Sequence, residues 1–139
     1  MRKNDPVTHL MTKDVITLQL NEPLSKARRL FEESKIHHLP VVDGAKLVGI
    51  LTWSDFLRVS FGEFGNQDAR NLDAVLDHTY KLADVMHAEP VTIPVNGTVR
   101  DAAQTLSTHG FHSLPVVENG ELRGLVTSTD LIRYLLEQY

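Results

Sequence analysis

Hydrophobic residues follow two spacings in this chain, and the two spacings alternate in the same order in each half. Runs such as Val41-Val42 and Ile50-Leu51 are apolar on both faces, which is typical of strands that helices cover. Stretches such as 24–31 instead place apolar residues every three or four positions, which predicts an amphipathic helix. Each half therefore predicts the order β-α-β-β-α, an α/β (α+β) fold.

The predicted elements of the two halves correspond one to one. Those of the first half are a strand over 14–18, a helix with Asn21 as its N-cap, strands over 38–42 and 46–52, and a helix after Thr52. Those of the second half are a strand over 89–93, a helix with Asn96 as its N-cap, strands over 114–117 and 121–127, and a helix after Thr127. The dipeptide Asn119-Gly120 favours a hairpin, because both central residues of the tightest hairpin turn need a positive φ.

The correspondence extends to residue identity. Segment 11–58 aligns with segment 86–133 without a gap, and 14 of the 48 aligned positions are identical. The identical positions include polar residues, above all a Thr-x-x-Asp motif that follows the last strand of each half, at 52–55 and 127–130. Because chemically capable residues recur at fixed spacing, the duplication concerns function as well as fold.

Length and composition restrict the class of protein. At 139 residues, with 42% hydrophobic and 23% charged residues, the chain suits one compact globular body made of two halves. The sequence has no apolar run long enough to cross a membrane, no signal-peptide core at its start, and no cysteine for a disulfide or a thiolate metal site. A net charge of −4 and scattered basic residues disfavour nucleic-acid binding. A cytoplasmic protein without a membrane or nucleic-acid partner is expected.

Two interpretations of the Thr-x-x-Asp motif stay open at the level of the residues. The first is helix capping, for which Ser, Thr and Asp are the preferred residues. The second is nucleotide binding: free N–H groups and hydroxyls at a helix start attract phosphate, and a carboxylate can accept two hydrogen bonds from a ribose. Gly49 and Gly124, three residues before each threonine, allow close approach of a backbone or a ligand.

Two further pairs of matched residues also allow a structural and a functional interpretation. His37 and His112 could bond to the backbone or donate a hydrogen bond to a phosphate. Arg58 and Arg133 follow each aspartate by three residues, which predicts an ion pair on one helix face rather than a ligand contact.

A metal site and aromatic stacking platforms are both disfavoured. The histidines at 37, 38, 109 and 112 lack any spacing typical of metal ligands. The larger aromatic residues are interpreted as core or dimer-interface residues; they are Trp53, Phe61, Phe64 and Tyr134.

The repeated pattern Leu-Pro-Val-Val, then Gly-x-x-Thr-x-(Ser/Thr)-Asp, resembles the cystathionine β-synthase (CBS) domain. Two copies in register resemble a tandem CBS pair, or Bateman module, and the resemblance covers about Val7 to Arg133. It implies CBS repeat 1 at 7–60, a linker with a short helix at 61–81, and CBS repeat 2 at 82–139. It also implies that the two repeats are related by pseudo-twofold symmetry and form one compact module.

The resemblance implies two adenine-nucleotide sites, each combining the hydroxyls and aspartate of one repeat with the early strand of the other. Site A is expected to contain Thr12, Asp14, Ile16, Ile36, His37, Thr127, Thr129 and Asp130. Site B is expected to contain His87, Glu89, Val91, Phe111, His112, Thr52, Ser54 and Asp55. The acidic Asp14 and Glu89 would disfavour a nearby phosphate, and Trp53 in place of a smaller residue predicts sites of unequal affinity.

The implied function is a stand-alone, non-catalytic sensor that binds AMP, ADP, ATP or a related adenosyl ligand and signals its occupancy to a partner protein. No resident cofactor or metal is expected, and a homodimer is, because the helix over 131–136 is apolar enough to need covering. The alternative is a protein-interaction scaffold with vestigial ligand clefts. An enzyme is disfavoured, because the sequence has no P-loop, catalytic triad or metal-ligand motif.

Overall fold

A computed structural model of the chain describes residues 4–64 and 69–139, without the side chains of 61–64, 69 and 70. The side chains of Phe61 and Phe64 therefore lie outside the described residues. The described residues form a mixed α/β fold that divides into two compact units. We call Ile16–Pro90 the central unit, and Met1–Val15 together with Val91–Tyr139 the terminal unit.

The central unit contains a small mixed sheet and its helices. Its elements are β1 (Leu18–Gln19), α1 (Leu24–Ser34), β2 (His38–Asp43), β3 (Lys46–Thr52), α2 (Trp53–Phe64), α3 (Ala69–Thr79), α4 (Leu82–Val85) and β4 (His87–Ala88). Strand β2 is parallel to β1 and antiparallel to β3, and β3 is antiparallel to β4. The helices and sheet share a hydrophobic core that includes Leu18, Leu39, Leu51 and Leu76.

The terminal unit repeats this arrangement on a second core. Its elements are a 3-10 helix (Val7–His9), β5 (Ile93–Pro94), α5 (Val99–His109), β6 (Ser113–Glu118), β7 (Glu121–Thr127) and α6 (Ser128–Glu137). Strand β6 is parallel to β5 and antiparallel to β7. The order β-α-β-β-α predicted for each half is confirmed.

The second hairpin has the turn that its sequence predicts. Asn119 and Gly120 both have a positive φ, 53° and 79°, between strands that pair up to Glu118 and Glu121. Both conformations belong to the left-handed region that this type of tight turn requires.

The predicted N-caps, Asn21 and Asn96, are wrong. Helix α1 begins after Pro23, and α5 begins after Thr98. In α5 the Thr98 hydroxyl accepts a hydrogen bond from the Asp101 N–H, and the Asp101 carboxylate accepts one from the Thr98 N–H. The bond from the Thr98 N–H, followed by interaction with the Thr98 side chain, holds the pKa of the Asp101 carboxyl below its ordinary value. A turn closed by the bond from Gly97 N–H to the Pro94 carbonyl delays the start of α5.

The early strands begin later in the chain and are shorter than the strands predicted over 14–18 and 89–93. Only Leu18–Gln19 and Ile93–Pro94 pair with their neighbours. The segments just before them pair elsewhere, because Thr12 forms a bridge with Leu125 of β7 and β4 pairs with β3. The early part of each repeat thus belongs to the unit that holds the hairpin of the other repeat.

The segment predicted as a linker, 61–81, is largely helical where it is described. Helix α2 continues to Phe64, four residues into the predicted linker, and the residues 65–68 lie outside those described. Helix α3 packs against α1 within the central unit. The Asp77 carboxylate accepts hydrogen bonds from the backbone N–H and the hydroxyl of Ser25, at 2.8 and 2.7 Å. Asp77 therefore supplies the cap that Asn21 does not.

Candidate functional site

The two Thr-x-x-Asp motifs lie where β3 meets α2 and where β7 meets α6. In α6 the Asp130 N–H donates to the Thr127 hydroxyl at 3.2 Å, and the Asp130 carboxylate accepts from the Thr127 N–H at 2.8 Å. The same reciprocal bonds join Thr52 and Asp55, at 3.2 and 3.3 Å. The capping interpretation is therefore confirmed, and it also fixes the two carboxylates at the helix starts.

The repeated glycines permit a close approach of backbone. A Cβ atom on Gly124 would lie 2.6 Å from the Met11 sulfur and 2.9 Å from the Thr12 carbonyl oxygen. A Cβ atom on Gly49 would lie 2.5 Å from the Met86 sulfur and 2.9 Å from the His87 carbonyl oxygen. The sequence leaves open whether a backbone or a ligand approaches these glycines; in the structure the space is filled by the Met11 and Met86 side chains and by the backbone that follows them.

This approach brings part of each predicted site together within one unit. Thr12 exchanges two backbone hydrogen bonds with Leu125, at 2.8 and 2.9 Å, two residues before the Thr-x-x-Asp motif of the terminal unit. In the central unit His87 pairs with Ile50, which is the repeat equivalent of Leu125. The terminal unit thus contains Thr12, Asp14, Thr127, Thr129 and Asp130; the central unit contains Thr52, Ser54, Asp55, His87 and Glu89.

The other predicted site residues belong in each case to the opposite unit. Ile16, Ile36 and His37 of site A are in the central unit, and Val91, Phe111 and His112 of site B are in the terminal unit. Their membership of a ligand site stays a prediction.

The matched histidines have a structural role through their backbone. The His37 carbonyl accepts from the Trp53 N–H, and the His112 carbonyl accepts from the Ser128 N–H, each at 2.9 Å. These bonds fix the first residue of α2 and of α6. Both His37 and His112 are exposed.

The two capping carboxylates have different surroundings. Asp55 is only 4% exposed. Its carboxylate accepts from the Thr52 hydroxyl at 2.7 Å and from the Arg58 guanidinium at 2.9 Å, and its two oxygens lie 3.1 and 3.2 Å from His87 Nε2. Asp130 is half-buried, and one of its oxygens caps Thr127. Within the described residues, its second oxygen has no hydrogen-bond partner.

The ion pair predicted three residues after each aspartate is therefore present in one copy. Arg58 contacts Asp55, whereas no ion pair joins Arg133 to Asp130 in the described part of the chain. The sequence indicated neither this difference nor the contact of His87 with Asp55. The only signal was that position 12 is Thr where its repeat partner, position 87, is His.

The two aromatic residues with described side chains among those predicted to be core or interface residues, Trp53 and Tyr134, belong to the cores. The Trp53 ring lies 5.4 Å from Phe31 and 5.7 Å from Phe56, centre to centre, and all three pack in the central core. Tyr134 is buried in the terminal unit, where its hydroxyl donates to Asp5. As predicted, Trp53 and Tyr134 are core residues rather than stacking platforms.

Two other kinds of feature, a metal-binding cluster and a membrane-spanning helix, are absent from the described part of the chain. Among the side chains that the structure describes, no group of three or more His, Cys, Asp or Glu is placed to hold a metal ion. Nor is any helix within residues 4–64 and 69–139 both long and apolar enough to cross a membrane.

Comparison with known proteins assigns the family. The model of the CBS domain matches the chain twice, at 7–62 and 82–137. This chain belongs to the CBS-domain family. Each matched segment contains the Thr-x-x-Asp motif that follows the last strand of its half, at 52–55 or at 127–130, so the resemblance is confirmed.

Relatives with similar sequences include one protein of similar length and others that are much longer than this CBS pair. A CBS domain-containing protein of Dictyostelium discoideum is 33% identical over 94% of this chain and 91% of its own length. An uncharacterised protein of Methanocaldococcus jannaschii is 31% identical over 97% of this chain, and the chain spans 33% of that protein's length. An inosine-5'-monophosphate dehydrogenase of Korarchaeum cryptofilum is 37% identical over 86% of this chain, which spans 22% of the enzyme.

Solved structures of other CBS pairs share the fold. CBSX2 in complex with AMP has a TM-score of 0.80 and 26% identity, over 96% of this chain and 98% of its own. The CBS domain pair of protein MJ0100 in complex with 5'-methylthioadenosine and S-adenosyl-L-methionine has a TM-score of 0.74 and 26% identity, over 94% and 98%. Both are whole CBS pairs whose structures contain adenosyl compounds.

Proposed function

We propose that this CBS pair is a non-catalytic regulatory module that binds an adenine nucleotide or a related adenosyl ligand. The observation that carries the proposal is the Asp130 carboxylate, which is fixed at the start of α6 and keeps one oxygen free of hydrogen bonds within the described residues. The adenosyl compounds in the structures of CBSX2 and of the MJ0100 pair support the class of ligand.

The chemistry at the start of α6 suits the sugar of a nucleoside. The open carboxylate oxygen can accept hydrogen bonds from ribose hydroxyls, which are stronger than bonds between neutral groups. The neighbouring hydroxyl of Thr129 is exposed and can donate to a phosphate near the positive end of the helix. In the central unit, Thr52, Ser54 and Asp55 offer the same groups in the same order.

The charge of the neighbouring residues bears on which adenosyl ligand binds. Asp14 and Glu89 are both exposed and belong to the early segments that meet β7 and β3. Negative side chains repel phosphate groups, so they favour ligands with few phosphates over ATP. AMP and uncharged adenosyl compounds are the preferred candidates on this ground.

We further propose that the module forms a homodimer and passes its ligand state to a regulated protein. Helix α6 turns Tyr134 into the core and leaves Ile132, Leu135 and Leu136 exposed. A contiguous apolar helix face of this kind marks an interaction surface, and a second copy of the chain is the occupant we propose. Ligand would act by differential affinity for two arrangements of the protein.

The absence of catalysis is part of the proposal. The enzyme among the relatives, inosine-5'-monophosphate dehydrogenase, matches this chain over only 22% of its own length. The sequence also lacks the nucleophile, base and phosphate-loop motifs that enzymes acting on nucleotides use.

Calorimetry and thermal shift with a ligand panel test the proposal. The panel is AMP, ADP, ATP, S-adenosylmethionine, 5'-methylthioadenosine and NAD. Asp130→Asn keeps an oxygen that can cap α6 but removes the charge, so we expect at least about tenfold weaker binding at that site. The control is Asp101→Asn, because Asp101 forms the same capping box at α5 outside the predicted sites. It should leave the dissociation constant unchanged.

Two outcomes would count against the proposal. If the wild-type protein binds no member of the panel, the interaction scaffold replaces the sensor as the function. If ligand binds but Asp130→Asn and Asp55→Asn weaken it no more than Asp101→Asn does, the ligand site lies elsewhere on the protein.

A further inference from the structure

The Asp55 and Asp130 carboxylates have different hydrogen-bond partners, although both belong to the same repeated motif. A carboxylate offers about four lone-pair positions. Those of Asp55 are engaged by Thr52, Arg58 and His87, with all the donor atoms within 3.3 Å. In the described part of the chain, Asp130 is engaged only by the N–H of Thr127.

One part of this difference arises from a substitution within the repeat. The other part does not, because the Thr52 hydroxyl and Arg58 donate to Asp55, whereas their identical counterparts, Thr127 and Arg133, donate no side-chain bond to Asp130 in the described structure. Thr12 and His87 occupy equivalent positions: Thr12 pairs with Leu125, His87 pairs with Ile50, and these two partners are themselves equivalent. The imidazole of His87 is long enough to reach the carboxylate of its unit. The Thr12 side chain is shorter, and it makes no hydrogen bond with Asp130 in the described structure.

We infer that His87 and Arg58 together occupy acceptor positions of the Asp55 carboxylate, and we call this pair of contacts the latch. Because of the latch, an adenosyl ligand occupies the Asp130 site of the terminal unit before it occupies the Asp55 site of the central unit. The inference rests on the proposed function, because it takes the two aspartates as acceptors for ribose. A ribose diol needs two acceptor positions. Asp130 has them open, whereas at Asp55 the ligand must first displace the imidazole or the guanidinium.

The latch is expected to be weak enough to open. The side chains of Arg58 and His87 are 70% and 62% exposed, although Asp55 itself is buried. Contacts of exposed charged groups are worth little, because water competes for them. The latch should therefore lower affinity at the Asp55 site by about three- to tenfold rather than abolish binding.

Exchange of the two repeat residues tests the inference. His87→Thr installs the residue of the open copy, and Thr12→His installs the residue of the latched copy. Isothermal titration with AMP is run on each variant alone and combined with Asp55→Asn or Asp130→Asn, which identify the site observed. Unfolding midpoints verify that each variant is folded.

The expected result is reciprocal. In the wild-type protein the tighter site should be the one that Asp130→Asn weakens. His87→Thr should tighten the site that Asp55→Asn weakens by about three- to tenfold, and Thr12→His should weaken the other. Weaker binding in His87→Thr would mean that His87 contacts the ligand, and would overturn the inference. So would equal affinity of the two wild-type sites.

A measurement without ligand separates this inference from the proposed function. The imidazole nitrogen resonances of His87 should shift between the wild-type protein and Asp55→Asn, because the hydrogen bond from Nε2 weakens. Unchanged resonances would overturn the latch even if AMP binds. If the resonances shift but no ligand of the panel binds, the proposed function fails, and the order of occupancy fails with it.

Discussion

At the scale of single residues, the repeated positions serve structure first. Thr52 and Thr127 cap helices, and the carbonyls of the matched histidines fix the first residues of those helices. Gly49 and Gly124 are repeated because a segment of the other repeat passes against them. A pattern of identities therefore located the important positions correctly, but could not distinguish a residue that a ligand needs from one that a neighbouring backbone needs.

Gly124→Ala should destabilise the protein through this close approach. The added methyl group would lie 2.6 Å from the Met11 sulfur and 2.9 Å from the backbone oxygen of Thr12, so the bridge to Leu125 must shift. Overpacking of this kind costs about 1–3 kcal/mol of unfolding free energy, measurable by urea unfolding. Gly110→Ala is the comparison, because there the added methyl group meets no atom within 4 Å and only the backbone φ of +71° is strained. Unchanged stability in Gly124→Ala would show that the segment does not need this contact.

At the scale of elements, the hairpins followed from local sequence and the helix starts did not. The dipeptide Asn119-Gly120 fixes the turn between β6 and β7. The cap of α1 comes instead from Asp77, 52 residues further along the chain on α3. Helix α3 also contributes Asp73, which forms two bonds with the Arg28 guanidinium and raises the pKa of that group above its ordinary value. Capping rules that read neighbouring residues cannot detect such a partner.

Asp77→Ala should lower stability through the start of α1. Loss of the bonds to the Ser25 N–H and hydroxyl leaves a buried serine without its acceptor, and lost caps cost about 1 kcal/mol. Urea unfolding should show a lower midpoint with an unchanged slope. Asp77→Asn, which keeps an acceptor oxygen, should recover part of the loss. A midpoint equal to that of the wild-type protein would mean that water caps α1 as well as Asp77 does.

At the scale of the whole molecule, the two units do not follow the two repeats. The described part of the terminal unit consists of residues 4–15 and 91–139, from the two ends of the sequence, and Val7 is fully buried in its core. The segment 82–90 contributes β4 and the buried Leu82 to the central unit. Each Thr-x-x-Asp motif consequently shares a unit with the early residues of the other repeat, which is the combination that the family resemblance implied.

Leu136→Glu should dissociate the proposed homodimer. Leu136 is 69% exposed on the outer face of α6, so a charge there leaves the core intact but cannot be buried in a dimer contact. Light scattering after size exclusion should give the monomer mass. Ser107→Glu places the same charge on the exposed surface of α5 and should leave the mass unchanged. A wild-type monomer, or a variant dimer, would show that α6 is not the dimer surface.

The sequence by itself determined the family, the repeated β-α-β-β-α order, both hairpins and the positions of the two capping aspartates. These depend on spacing and on turn conformation, which neighbouring residues fix. Tertiary structure alone decided which carboxylate is free, because the partners of Asp55 include His87 from the other repeat. It also decided the close approach at Gly124 and the cap of Ser25. Such contacts join residues distant in the chain, and only packing brings them within hydrogen-bond distance.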